Sequence, residues 1–177
     1  MPLYLDQYQL QPGDLPVDWP MILVGWRGFN RRKLSAEQVI AHALDQIGNG
    51  TPEQDEIAAL LASTDPSEWQ TVDRYLEQLA ETQHHDWQTA LRSWRLAELK
   101  HLLWSLPRSD RTYEFPEDEL LSVYYDLTDF WRSYDKLPDS AAAAPQPMKS
   151  VEDMLAEQRA WSKREENALR GGVEAIE

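Results

Sequence analysis

Two glutamates each precede a histidine by three positions, at Glu81–His84 and at Glu98–His101. A pair of Glu-x-x-His motifs on facing helices holds two iron or manganese ions in some helical bundles. Here Glu81 falls at the end of one expected helix, whereas Glu98 lies well inside the next. At 1.5 Å per residue, that offset separates the two motifs by roughly 18 Å along an antiparallel pair, too far to share metal ions. We therefore predict no metal site.

Other catalytic patterns do not occur in the sequence. It contains no nucleophile elbow, Walker loop, dinucleotide-binding glycine pattern or HExxH zinc motif, and no cysteine. Carboxylates are abundant, but a carboxylate needs burial to raise its pKa for acid–base catalysis. We predict a protein that is not an enzyme and has neither catalytic residues nor a cofactor. A hydrolase that uses carboxylates is an alternative for which no residue can be nominated.

Acidic residues outnumber basic residues by 31 to 17, which gives a formal net charge of −14. This charge repels phosphate backbones and argues against nucleic-acid binding. It attracts a basic protein and accelerates the encounter, although acidity can also serve solubility alone. From Leu34 to Asp73 no lysine or arginine occurs. The eight acidic residues of this segment are Glu37, Asp45, Glu53, Asp55, Glu56, Asp65, Glu68 and Asp73.

A second acidic segment, residues 110–139, has nine acids against three basic residues. It contains an aromatic helix, LLSVYYDLTDFWRSYDKLP (residues 120–138), with an apolar stripe that we expect to be core. Tyr125, Asp126 and Asp129 lie away from the centre of that stripe, and exposed tyrosine among acids is typical of protein interfaces. The residues that we predict to bind a partner are Glu53, Asp55, Glu56, Asp65, Glu68, Tyr125, Asp126 and Asp129.

Signals for helix starts divide the chain into six or seven expected helices. Ser35 and Gln38 form a capping box, while Thr51–Pro52 and Asp65–Pro66 open the next two helices. We predict an all-α fold, a single-domain antiparallel bundle. The apolar residues expected on buried faces include Val39, Ile40, Ala43, Leu44, Ile47, Ile57, Leu60, Leu61, Trp69, Val72, Tyr75, Leu76, Leu79, Leu91, Trp94, Leu99, Leu102 and Leu103.

Three segments are expected along the chain: a helical core domain over residues 1–138, an Ala/Pro linker over 139–149, and an amphipathic helix over 150–177. The apolar residues of that last helix are sparse, so we expect it to dock weakly. No apolar run approaches the roughly 20 residues that cross a bilayer, and the N-terminus does not resemble a signal peptide. A cytoplasmic protein that does not bind membranes is expected, with its oligomeric state open.

The aromatic helix also carries a resemblance. Glu119-Leu-Leu-Ser-Val-Tyr-Tyr-Asp-Leu, followed by Phe130, Tyr134 and Leu137-Pro138, is similar to the helix-rich ending of an uncharacterised bacterial domain family. VGWRGFNRRKLSAEQVIAHAL resembles the opening of that family. Asp126 matches its acidic position, whereas Leu127 and Leu137 replace an aromatic residue and a methionine. Families of this kind are thought to include immunity proteins against toxins delivered between bacteria, and the resemblance implies that role without any catalytic residue.

Two functional hypotheses follow from these observations. The first is an immunity protein that binds a cognate, basic toxin through its acidic surface and blocks the active site of the toxin. The alternative is a helical scaffold or regulatory protein without enzymatic activity that self-associates through its C-terminal helix.

Overall fold

A computed structural model describes residues 17–28, 34–83, 86–105, 125, 127–131 and 151–174. Residues 125 and 127–131 are helical, and no strand occurs within these ranges. The prediction of an all-α fold is therefore confirmed. The six helices with defined bounds are α1 (Trp19–Arg27), α2 (Ala36–Gln46), α3 (Pro52–Ala62), α4 (Trp69–Thr82), α5 (Trp87–Ser105) and α6 (Val151–Glu174).

Local hydrogen bonds determine where α2 and α3 begin. Ser35 accepts a hydrogen bond from the backbone N–H of Gln38, and the Gln38 side chain accepts one from the backbone N–H of Ser35. Thr51 and Gln54 form the same reciprocal pair at the start of α3. Each capping box satisfies backbone donors that a helix start leaves without a partner. The helix start predicted at Ser35 is confirmed, as is the one at Thr51.

The chain divides into two compact units, and the boundary lies within α5, between Trp94 and Arg95. The described part of the first unit comprises α1 to α4 and the beginning of α5. The described part of the second comprises the remainder of α5, the helical residues near 127–131, and α6. The domain boundary predicted at residue 138 and the linker predicted over 139–149 lie outside the described residues.

The first unit has an apolar core built around α1. Met21, Ile22 and Val24 are fully buried, and α1 packs against α4, while α3 packs against both α2 and α4. Gly25 of α1 lies so close to the Trp94 ring that a β-carbon there would overlap it. Glycine at this position therefore allows the helix backbone to approach the buried indole closely.

Several residues that we expected on buried faces are exposed. The prediction was wrong for Leu44 (63% exposed), Ile47 (41%), Leu60 (44%) and Trp69 (61%). Adjacent helix positions point about 100° apart, so Leu44 diverges from the buried Ala43 beside it. Leu60 diverges from Leu61 in the same way. The expected residues that are fully or nearly fully buried include Val39, Ala43, Leu61, Val72, Leu76, Leu79, Trp94 and Leu99.

The second unit has an aromatic core to which α6 contributes. The Trp131 ring meets the rings of Phe130 and Trp161 edge-on, at centroid distances of 5.2 and 4.9 Å. Leu169 of α6 is buried in the same cluster. The expectation of weak docking was wrong because the inner face of α6 also buries polar side chains, which an apolar pattern does not count. Those polar residues are Gln158, Ser162 and Glu165.

Candidate partner-binding surface

Two of the predicted acidic residues lie on one exposed side of α3. Glu53, Glu56 and Leu60 follow a spacing of three and then four residues, which places them along one helix face. All three are exposed, as is Ala59 between them. Carboxylates thus occupy the N-terminal half of this face and apolar side chains its C-terminal half.

The neighbouring helix α2 contributes apolar side chains next to this face. His42 contacts the Trp19 ring of α1 at a centroid distance of 5.1 Å, so that side of α2 faces α1. Leu44 lies on roughly the opposite side of α2 from His42 and is exposed, as is Ile47, the C-cap residue of this helix. We call the exposed residues Leu44, Ile47, Glu53, Glu56, Ala59 and Leu60 the α2–α3 surface.

The carboxylates of the α2–α3 surface have no neutralising partner in the described part of the chain. The side chains of Glu53 and Glu56 make no hydrogen bond or ion pair with any described residue, and the same holds for the side chain of Glu68, beyond the end of α3. The sequence from Leu34 to Asp73 supplies no lysine or arginine. These carboxylates therefore present negative charge to solvent, where a cationic partner can reach it.

Asp55 instead organises the turn between α2 and α3. Its Oδ1 accepts hydrogen bonds from the backbone N–H groups of Gly48, at 3.0 Å, and Gly50, at 3.2 Å. Gly48 has a φ of 89°, in the region that glycine adopts without steric cost. The carboxylate of Asp55 thus holds together the loop that joins the two helices of the surface.

Asp65 has a comparable local role between α3 and α4. One of its carboxylate oxygens accepts hydrogen bonds from the Ser67 hydroxyl, at 2.6 Å, and from the Ser67 backbone N–H, at 2.8 Å. The hydroxyl contributes most to holding the pKa of Asp65 below its ordinary value, and the backbone N–H adds to it. Asp65 thus remains charged and exposed while fixing the turn.

Asp73, the last acid of the segment from Leu34 to Asp73, has a basic partner outside that segment. The Arg27 guanidinium lies 3.4 Å from Asp73 and 2.9 Å from Glu77, and the Trp26 indole N–H donates to Asp73 at 2.9 Å. The hydrogen bond to Glu77 is the largest cause that raises the pKa of Arg27. A cation of α1 therefore neutralises this acid, although the segment itself supplies no lysine or arginine.

Glu68 and Trp69 lie after the turn that follows α3. They also place an exposed apolar side chain next to an acid. Glu68 is the residue before α4, and its side chain makes no capping hydrogen bond. Trp69 begins the helix and is largely exposed. We had expected Trp69 on a buried face. Its position in the first turn, where a helix has few neighbours on its outer side, is the signal that could have identified it.

The predicted partner-binding residues of the aromatic helix belong to the second unit. Tyr125 is 61% exposed, Asp129 is half-buried, and Asp126 lies outside the described residues. The other five predicted residues, Glu53, Asp55, Glu56, Asp65 and Glu68, all belong to the first unit. That the whole set forms one binding face stays a prediction.

The two Glu-x-x-His motifs differ in the surroundings of their glutamates. Glu81 is exposed on α4, whereas Glu98 is buried in α5. His84 and the side chain of His101 lie outside the described residues. Within the ranges that the structure describes, no group of three His, Cys, Asp or Glu side chains could hold a metal ion, and no helix is long and apolar enough to span a bilayer.

Comparison with known proteins gives one match. A family model described as an uncharacterized protein conserved in bacteria, DUF2247, matches residues 8–165. No curated protein and no solved structure matches the chain. The resemblance to an uncharacterised bacterial family is thus confirmed at that level, and the family description names no activity or partner.

Proposed function

We propose that this chain, which belongs to the bacterial family DUF2247, is an immunity protein that binds a cognate toxin and blocks its active site. The observation that carries the proposal is the pairing of exposed, unneutralised carboxylates with exposed apolar side chains. Glu53 and Glu56 adjoin Leu60 on α3, and Glu68 precedes Trp69. Soluble proteins place apolar residues beside charge in this way at surfaces that bind other proteins.

The two kinds of side chain have different roles in such a complex. The carboxylates attract a basic partner over several ångströms and accelerate association, an effect that salt screens. The leucines and the tryptophan lose their contact with water when the partner covers them, which slows dissociation. An immunity protein needs both properties, because it must capture the toxin quickly and keep it inactive.

A basic active-site cleft is the natural target of this surface. A nuclease, for example, lines its cleft with lysine and arginine to bind phosphates. The carboxylates of the α2–α3 surface would take the place of those phosphates and exclude the substrate. No group of this chain needs to react, consistent with the lack of a recognisable catalytic motif in the sequence.

Protection of growing bacteria from a toxin tests the proposal. Toxin domains encoded beside this gene would be expressed in a sensitive strain, with and without this protein, and survival counted. We expect the natural chain to protect against one of them and the E53Q/E56Q variant to lose protection. The E81Q/D86N variant removes the same charge from exposed positions elsewhere in the first unit and should protect fully.

Two results would contradict the proposal. If no neighbouring toxin domain is neutralised, the chain is not an immunity protein of this kind. If E53Q/E56Q protects as well as the natural chain, the acidic surface assigned here is not the one that binds. Circular dichroism of both variants would establish that neither result comes from unfolding.

A further inference from the structure

The exposed apolar and acidic side chains of the α2–α3 surface indicate the secondary structure and the charge of the segment that binds there. We propose that it binds an amphipathic helix whose apolar stripe is flanked by lysine or arginine, and, resting on the proposed function, that the toxin supplies this helix. Three large apolar side chains are exposed along α2 and α3, which pack against each other: Leu44, Ile47 (the C-cap residue of α2) and Leu60.

The geometry of α2 and α3 favours a helix as the occupant. A loop of only five residues, 47–51, joins these two packed helices, as in the short-loop antiparallel pairs of helical bundles. Neighbouring helices lie about 8–10 Å apart, which leaves room for a third helix to rest its side chains between their ridges. Ala59 lies exposed on α3, and its small side chain lets the backbone of such a helix approach. The 11 residues of α3 extend about 16 Å, or roughly three turns of the occupant.

The distribution of charge determines the chemistry of that helix. Glu53 and Glu56 lie within the first two turns of α3, beside the end of α2 that carries Leu44 and Ile47. No lysine or arginine occurs between Leu34 and Asp73 to balance them. A lysine or arginine of the partner helix next to its apolar stripe would neutralise these carboxylates as leucines cover the apolar side chains.

Other occupants fit the surface less well. A second copy of this chain, docked symmetrically, would bring Glu53 and Glu56 of both copies toward one another, and like charges repel. A membrane with anionic headgroups and a nucleic acid would each meet the same repulsion. The charge thus favours a cationic protein segment.

Binding of a designed peptide to the full chain tests the inference independently of any toxin. The probe is a synthetic amphipathic peptide of leucine and lysine, about 14 residues long, which is roughly 21 Å as a helix. One control peptide has the same residues in scrambled order, and another has glutamate in place of lysine. Affinity is measured by calorimetry, and the binding site by the changes that the peptide causes in backbone amide NMR signals.

We expect the leucine–lysine peptide to bind and to shift amide signals mainly within residues 40–63. Scrambling should weaken binding, and the glutamate peptide should not bind. The L44S/L60S variant should bind about tenfold more weakly because it removes two apolar contacts. The E53Q/E56Q variant should also bind more weakly and show less dependence on salt, whereas E81Q/D86N should bind within about twofold of the natural chain.

Several outcomes would overturn the inference. These are shifts spread over the whole acidic chain or centred elsewhere, equal binding of the scrambled peptide, and unchanged binding by L44S/L60S. Leu44 and Leu60 are exposed, so their substitution should leave the fold intact, and thermal unfolding of the variant would verify this. Peptide binding at the α2–α3 surface without protection from any toxin would reject the proposed function and keep this inference. Protection that depends on Glu53 and Glu56, without peptide binding, would keep the proposed function and reject this inference.

Discussion

The two units of this molecule place their charged side chains in opposite ways. In the first unit the buried residues are almost all apolar, and the carboxylates of the α2–α3 surface face solvent. In the second unit Arg95, Glu98 and Glu165 are buried. A buried charge loses its hydration and must find partners within the protein, so its interactions stabilise the fold and it cannot bind an external partner. An exposed carboxylate keeps its hydration and remains available to a partner.

In the second unit, buried polar side chains have specific partners that connect α6 to the rest of the unit. The Arg95 guanidinium lies 3.4 Å from Glu165 and 5.1 Å from the centre of the Trp161 ring. The Trp131 indole N–H donates to Gln158 at 2.9 Å. These contacts are directional, and they join α6 to α5 through Arg95 and to the helical residues 127–131 through Trp131. They therefore fix the position of α6 more closely than apolar packing alone would.

The largest effect that we expect comes from breaking the buried ion pair. Arg95→Met should destabilise the protein by about 3–5 kcal/mol, because it removes one charge of a buried ion pair and keeps the other, Glu165, in the interior. Urea unfolding of the natural chain and the variant measures the difference. The R95M/E165L double variant removes both charges and should recover most of the loss. A loss below about 1 kcal/mol for Arg95→Met would mean that the pair behaves like an exposed one.

A glycine substitution tests how closely the apolar interior of the first unit is packed. Gly25→Ala should cost about 1–3 kcal/mol, because the new methyl group would overlap the buried Trp94 ring. The matched change in α6, Gly171→Ala, meets open space and should stabilise by about 0.5–1 kcal/mol through helix propensity. Equal effects in urea unfolding would show that packing at Gly25 is loose. Opposite signs would confirm the close approach.

What the sequence predicts depends on how far apart the interacting residues are. Both capping boxes join residues three positions apart, so Ser35 and Thr51 identify helix starts without knowledge of the fold. The pair of Arg95 and Glu165 joins positions 70 apart, and Trp26 and Asp73 are 47 apart. No local pattern indicates such a pair, because the fold alone brings its members together.

Exposure of the α2–α3 surface could not be predicted for a related reason. An apolar stripe shows which side chains favour burial, but the number of neighbouring helices determines how much of the stripe is covered. The stripe that contains Leu44 is wider than the area covered by its neighbours, so its edge remains in solvent. Glu53 and Glu56, which we predicted to bind a partner, are exposed, and so are Leu44 and Leu60, which we assigned to the core.

Two adjacent acids of α3 allow the comparison to be made within one helix. Asp55→Ala should cost about 1–2 kcal/mol, because the backbone N–H groups of Gly48 and Gly50 lose their acceptor. Glu56→Ala should change stability by less than about 0.5 kcal/mol. Binding of the leucine–lysine peptide should weaken for Glu56→Ala. Suppose that Glu56→Ala proves the more destabilising variant. Then Asp55 is not the carboxylate that stabilises the fold, and Glu56 is not the one that is free to bind a partner.

The smallest expected effect concerns Asp65, an exposed carboxylate that accepts hydrogen bonds from Ser67 in the same turn. Its pKa is lowered first by the Ser67 hydroxyl and then by the Ser67 backbone N–H. A lowered pKa in the folded state means that the contribution of Asp65 to stability is present above the ordinary value of about 3.9. That contribution is lost as the pH falls through the folded value.

Removal of the Ser67 hydroxyl separates the two causes. Ser67→Ala should raise the pKa of Asp65 toward the ordinary value without reaching it, since the backbone N–H at 2.8 Å still donates. Ser63→Ala is the matched control, because the Ser63 hydroxyl donates to the Leu60 carbonyl oxygen instead. Carbon-detected NMR titration of the Asp65 carboxyl measures both variants. An unchanged pKa in Ser67→Ala would show that the hydroxyl does not lower the pKa of Asp65, which would leave the backbone N–H as its only hydrogen-bond donor from Ser67.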